Sequence, residues 1–170
     1  DRSRLGAPLS GQHHYSSPSL CGGRAAQKGG QAAQGLGRSR GGFSSKIHMS
    51  VDGLGNPLQF QITAGQTHDI TQAEALLPPG PIEYVIADKG YDAEAFVQVV
   101  RERGAIPVIP PRSNRKTPRE YDAHLYKERH LVECFINKIK HYRRIFSRYD
   151  KLARTYLGFL HFVSTLIWLR

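Results

Sequence analysis

Apolar and polar residues alternate from Ser45 to Val51, where Ile47, Met49 and Val51 share one face, and again through Leu58, Phe60 and Ile62. A period of two belongs to half-buried strands, so the spacing predicts two of them. The intervening Asp52-Gly53-Leu54-Gly55-Asn56-Pro57 is turn chemistry and joins them as an antiparallel hairpin. Thr71 followed by Glu74 predicts a capping box opening a short helix through Leu77, which Pro78-Pro79-Gly80 stops. Tyr84-Val85-Ile86-Ala87 is a short continuous apolar run, the mark of a strand buried on both faces, and it ends at Asp88. An amphipathic helix over Ala93–Arg103 follows, closed by Gly104, and then a strand over Ile106–Ile109 whose proline favours an edge. After a basic, proline-punctuated loop, two helices are predicted, from Asp122 to about Arg144 and from Leu152 to Leu169. The order strand, strand, helix, strand, helix, strand, helix, helix predicts an α/β domain with a mixed sheet.

Residues 1–42 break this pattern. They hold ten glycines, six serines and one acidic residue, with few apolar positions and no period. Such a segment cannot bury enough surface to offset its ordering entropy, so disorder is expected up to residue 42 and a folded domain over 43–170. Composition then adds a partner class. Lys and Arg number 24 against 14 Asp and Glu, a net charge of +10, and that surplus favours a polyanion. The cysteines, Cys21 and Cys134, form no C-x-x-C pair, which argues against a zinc ribbon or a disulfide framework and fits a reducing cytosol. The run Tyr156–Leu169 is broken by Gly158, His161, Ser164 and Thr165 and is too short to span a bilayer. A cytoplasmic protein with no membrane contact is expected.

The segment from Tyr126 to Lys140 carries the most chemistry. At 100° per residue, Tyr126, Arg129, Glu133 and Lys140 project within about 60° of one another. Leu125, Val132, Phe135, Ile136 and Ile139 form the adjoining apolar stripe. Helix geometry alone also accommodates an ordinary surface pair between Arg129 and Glu133. Asp88 changes the balance, because a carboxylate at the carboxyl end of a buried strand stands where ligands bind in α/β sheets. Two carboxylates placed in this way suit divalent cations and phosphodiester chemistry.

These residues carry a resemblance. Asp88-Lys89-Gly90-Tyr91-Asp92 resembles the second-aspartate motif of bacterial insertion-sequence DDE transposases, and Tyr126-x2-Arg129-x3-Glu133-x6-Lys140 matches that family's signature around its catalytic glutamate without a gap. Gly37-Arg38-Ser39-Arg40-Gly41-Gly42, Lys46-Ile47-His48, Gly53 to Pro57 and His68-Asp69 also resemble recurrent family segments, so the likeness runs from about Gln27 to Arg170. It implies a ribonuclease-H-like mixed sheet flanked by helices. It further implies Mg2+-dependent hydrolysis at transposon ends and strand transfer into target DNA, with two ions in the intact site and Mn2+ as the alternative metal. Asp88 and Glu133 would be catalytic and metal-binding, with Arg129 and Lys140 on DNA phosphates and Tyr126 positioning the DNA backbone. The intact protein would act on transposon-end and target DNA as a homodimer or larger. Arg112, Arg115, Lys116, Arg143 and Arg144 are further basic candidates for DNA contact.

The pattern fails at one place. The family's first aspartate belongs in an Asp-Ser-Thr segment on the first strand, and the chain contains none. Asp52 sits in the hairpin turn, where it has a structural task. The stretch Gly11-Gln12-His13-His14-Tyr15-Ser16-Ser17-Pro18 can be encoded by GGA-CAG-CAC-CAT-TAC-TCG-AGC-CCA. Read one base along, that string gives Asp-Ser-Thr-Ile-Thr-Arg-Ala. On this hypothesis residues 1–25 are out of frame, the sheet lacks its first strand, with the gap either partly filled by Leu5 to Leu9 or left open, and the chain is an inactive carboxy-terminal part. Two alternatives stay open: a DNA-binding remnant without chemistry, and another ribonuclease-H-like nuclease. An RNA-binding accessory protein would explain the charge but not Asp88 and Glu133.

Overall fold

The structure is a computed structural model that describes residues 7–9, 13–16, 34–39 and 42–169. Its strands are β1 (Ala7–Leu9), β2 (His13–Ser16), β3 (Gly37–Ser39), β4 (Gly42–Val51), β5 (Pro57–Ala64), β6 (Tyr84–Ala87) and β7 (Ile106–Val108). Its helices are α1 (Glu94–Glu102), α2 (His130–Lys140), α3 (Arg143–Phe146) and α4 (Ala153–Trp168). Mixed strands and helices make this an α/β protein. Of residues 1–42, β1, β2 and β3 are ordered strands. The remainder of the disorder expected there falls outside the described residues, apart from 34–36.

The chain forms two compact units, the first of residues 1–11, 48–61 and 68–136. In this unit β1 pairs antiparallel with β4, Leu9 opposite Ser50, and parallel with β6, Leu9 opposite Ala87. β6 pairs parallel with β7, Ile86 opposite Val108. Of the two outcomes left open for the place of the missing strand, filled by Leu5 to Leu9 or left empty, the structure has the first: Ala7–Leu9 occupies it. Backbone ladders need no apolar period, so a segment without one can still satisfy the edges of β4 and β6.

β6 is buried on both faces, as its apolar run predicts. Val85 and Ala87 join Ala73, Leu76, Tyr91, Phe96, Val97 and Val100 in one core layer beneath α1. Val132, Phe135 and Ile136 of α2 are also buried, and the Phe135 ring lies 6.0 Å from that of Phe60 on β5. The hairpin turn forms as expected. Asp52 Oδ1 accepts the Leu54 and Asn56 N–H groups at 2.8 Å each, Oδ2 accepts from the Asn56 amide at 3.0 Å, and Gly55 takes φ of 81°.

Two helix expectations are corrected. Thr71–Leu77 forms two 3-10 turns, Asp69–Gln72 and Glu74–Leu76, and the Thr71 hydroxyl donates to the His68 carbonyl at 2.7 Å instead of capping. Spending its hydroxyl on a carbonyl removes the reciprocal bonding that a capping box requires. The helix expected from Asp122 begins as a 3-10 turn over Leu125–Arg129, becomes α-helical at His130, and breaks after Lys140 before the short α3.

The second unit comprises residues 12–47, 62–67 and 137–170. Here β2 and β3 each pair antiparallel with the first part of β4. Ile139, Ile145, Tyr156, Leu160 and Val163 are buried, and the Tyr156 hydroxyl donates to the Ile145 carbonyl at 2.7 Å. No helix among the described residues is long and apolar enough to cross a membrane.

Candidate active site

Asp88 follows the last residue of β6, and the chain turns at once into a 3-10 element over Lys89–Tyr91. Asp88 caps that turn: Oδ1 accepts the Gly90 N–H at 2.8 Å, and its carbonyl accepts from the Tyr91 N–H at 3.0 Å. The carboxylate is thereby aimed from the carboxyl end of β6.

The 3-10 turn Leu125–Arg129 packs against β6 and β1. It brings Tyr126 within electrostatic reach of Asp88. Burial pushes the Tyr126 phenol up from the ordinary tyrosine value, the Arg129 cation opposes that, and the Asp88 charge adds to it. The phenol therefore stays protonated at neutral pH, as a donor that could meet a phosphate oxygen. Arg129 also ion-pairs with Glu133, one α-helical turn further on. Asp88 thus acts electrostatically on Tyr126, Tyr126 hydrogen-bonds with Arg129, and Arg129 ion-pairs with Glu133. Replacing α-helix by 3-10 helix over 125–129 does not disturb the expected face, because residues three apart eclipse in a 3-10 turn. Lys140 is half-buried and ends α2.

The turn that carries Tyr126 has its own cap. Asp122 Oδ1 accepts the His124 and Leu125 N–H groups at 2.8 and 2.9 Å. The Leu125 bond is the largest of the effects that lower the Asp122 pKa from its usual 3.8. A depressed folded-state pKa stabilises above the unfolded value and ceases to do so as pH falls through the folded one. Acidification through the folded pKa, which lies below 3.8, should therefore reduce the protection of the His124 and Leu125 amides relative to their intrinsic exchange rates, as Asp122→Ala should at neutral pH. Exchange there that is indifferent to both changes contradicts the cap.

The basic candidates fare differently. Arg112 and Arg115 are turned onto the protein itself. Arg112 donates to the Lys89 and Gly90 carbonyls at 3.1 and 2.7 Å, and Arg115 pairs with Asp92 and Glu94. Arg144 pairs with Asp150 at 3.0 Å and lies 3.8 Å from the centre of the Phe159 ring. Lys116 and Arg143 are exposed. Sequence reasoning gave no role to the buried Asp92, to Arg119, to His48 or to Arg148, and read Asp69 as a turn or cap residue; Asp69 opens its 3-10 turn and is buried 3.6 Å from His48. Asp92 stood inside a quoted motif, and that was its only signal.

A divalent-metal centre of two ions needs more than these donors. Asp88 spends one oxygen on Gly90, and Glu133 is ion-paired and 52% exposed. Among the described residues no three His, Cys, Asp or Glu side chains gather into a metal-holding group. The residues in place do not fit a two-metal site. Asp52, with three hydrogen bonds to its own turn, supplies no missing ligand.

Comparison with known proteins agrees with the sequence signature. The transposase DDE domain family matches residues 12–166. A Brucella ovis protein named as transposase for insertion sequence element IS6501 is 42% identical over 133 residues, covering 75% of this chain and 100% of the relative. A Burkholderia cepacia protein named as transposase for IS402 is 34% identical over 135 residues, which cover 72% of this chain and 62% of that relative. No solved structure matches.

Proposed function

The chain belongs to the transposase DDE domain family of insertion sequences, and from that premise we propose that it is a DNA-binding part of a transposase whose intact form hydrolyses and joins phosphodiester bonds. The observation that supports this most is that the turn Leu125–Arg129 packs on β6 and couples Tyr126 to Asp88, while Arg129 of the same turn pairs with Glu133. In the intact form, with a third carboxylate that the described residues do not supply, Asp88 and Glu133 would be two of the ligands for Mg2+, or Mn2+ as the alternative, within a ribonuclease-H-like domain proposed over residues 43–170. Transposon-end and target DNA are the proposed partners, engaged in the cytoplasm by a homodimer or larger assembly.

One observation favours a second reading for this chain. The described residues lack a three-carboxylate group, so a DNA-binding remnant without chemistry accounts for what is present. We assign phosphate contacts to Lys116, Lys140 and Arg143, since Arg112, Arg115 and Arg144 already serve carboxylates and carbonyls.

Three contacts give a salt slope of about −2.7, so DNA affinity should fall roughly 40-fold between about 50 and 200 mM salt, nearly independent of sequence. Filter binding at the two concentrations measures this, beside Mg2+-dependent plasmid nicking to separate enzyme from binder. Affinity that holds steady as salt rises overturns the DNA assignment.

A further inference from the structure

The loop from Pro110 to Arg119 is basic, and composition casts its arginines as phosphate ligands. Their contacts say otherwise. Arg112 places its fork on two successive carbonyls: Nε donates to Lys89 O at 3.1 Å and a terminal nitrogen donates to Gly90 O at 2.7 Å. These carbonyls belong to the turn whose N–H groups Asp88 caps. The Lys89–Gly90 peptide is thus held from one side by the Asp88 carboxylate and from the other by the Arg112 guanidinium, while the next peptide, Gly90–Tyr91, lies between the Asp88 carbonyl and the same guanidinium.

Arg112 is itself seated. Its backbone N–H donates to Asp92 Oδ2 at 2.8 Å, and the Asp92 side chain is 1% exposed. Arg115 pairs with both Asp92 and Glu94, while Arg119 reaches Glu94 at 2.7 Å and Asp92 at 3.7 Å. A buried carboxylate needs such partners, because stripping them away leaves an uncompensated charge out of water. The exposed Glu94 then ties Arg115 and Arg119 together at the surface.

We propose that Arg112 is a positioning residue for Asp88, and that Asp92, Glu94, Arg115 and Arg119 form the clasp that seats it. The arginines of this loop serve the geometry of the candidate site and not the DNA backbone. The proposal rests on the reading of Asp88 as a site carboxylate. It explains why a planar fork is used: one guanidinium spans two carbonyls, which a lysine ammonium, a point donor on a flexible stem, does not hold in fixed register.

The test compares Arg112→Lys with Arg112→Ala in the 170-residue chain. Lysine keeps the charge that a phosphate ligand needs and loses the fork that a clasp needs. Both variants should speed amide exchange at Gly90 and Tyr91 about tenfold, the worth of roughly one net hydrogen bond. Both should also shift the Asp88 side-chain carboxyl carbon resonance. Exchange in Val85–Ala87 and in α1 should stay as in the parent, and DNA affinity and its salt slope should not change. If lysine preserves both exchange and DNA affinity while alanine loses DNA affinity, Arg112 is a phosphate ligand and the proposal is wrong. Exchange that rises evenly across β6 and α1, with the Asp88 resonance unmoved, reduces Arg112 to a general stabiliser and also overturns it. Parent protein that fails to bind DNA defeats the proposed function, while the exchange and resonance data still decide the clasp.

Discussion

The 170-residue chain, incubated with DNA and Mg2+, should give no strand-transfer product above background, and Asp52→Asn should leave that result unchanged. Two divalent ions about 4 Å apart repel by roughly 4 kcal/mol even in the dielectric of water, and by more inside a protein. Asp88 and Glu133 offer two negative charges against that repulsion, and Glu133 shares its charge with Arg129. Asp52 cannot join them without abandoning the three hydrogen bonds that shape its turn. The sheet also indicates where the missing carboxylate belongs. β1 runs parallel to β6 with Leu9 opposite Ala87, the residue before Asp88. Gly11 and Gln12, whose codons on the frameshift hypothesis yield Asp one base along, follow Leu9 closely in sequence. A chain with the Gly11–Pro18 codons read one base along should therefore gain Mg2+-dependent cleavage on the order of 10²-fold or more, the scale of one restored electrostatic group. Asp88→Asn and Glu133→Gln should each abolish the gain. Strand transfer by the present chain, lost on Asp52→Asn, would show that the break in the motif has been misplaced.

Arg148→Ala should destabilise the second unit by about 3 kcal/mol or more, the range for removing one partner from a buried charged network. Arg148 is 3% exposed, and its donors reach the carbonyls of Asp150 and Lys151 at 3.0 and 3.1 Å, the Gln34 carbonyl, and the Ser45 hydroxyl. That hydroxyl in turn donates to the Gly35 carbonyl at 2.6 Å. The guanidinium also stands 5.2 Å from the centre of the Tyr156 ring. Burial lowers its pKa from the ordinary arginine value, with Tyr156 and Asp150 opposing. Alanine would leave several inward-facing acceptors without donors, each at a cost of ~1–3 kcal/mol when no water can replace the guanidinium. Lysine should recover part of the loss, since it keeps the charge but not the planar fork. Urea unfolding followed by the fluorescence of Trp168 measures both. A change below about 1 kcal/mol for alanine would mean that water satisfies those acceptors.

The elements that local pattern controls were legible in the chain itself. Alternation at Ile47, Met49 and Val51 and the turn at Asp52 specify the hairpin, the run Tyr84–Ala87 specifies a buried strand ending in Asp88, and the spacing in 94–102 specifies α1. The face shared by Tyr126, Arg129 and Glu133 was legible too, and it survived the change from α to 3-10 helix because Tyr126 and Arg129, three apart, eclipse in the 3-10 turn, while Glu133 lies in the α-helix that follows and ion-pairs with Arg129. The family followed from the same residues. Tertiary structure decided what local pattern does not encode. Strand β1 has no period of its own, and only the edges of β4 and β6 recruit it. Arg112 and Arg115 look like any solvated cations until the fold brings them to Asp92, some twenty residues earlier in the chain. Arg148 lies in a basic stretch and is buried because Gln34 and Ser45, more than a hundred residues away, supply its acceptors. Periodicity reports which face of an element is apolar. The partner of a charge is set by distance in space, and for these arginines that distance exists only once the chain has folded.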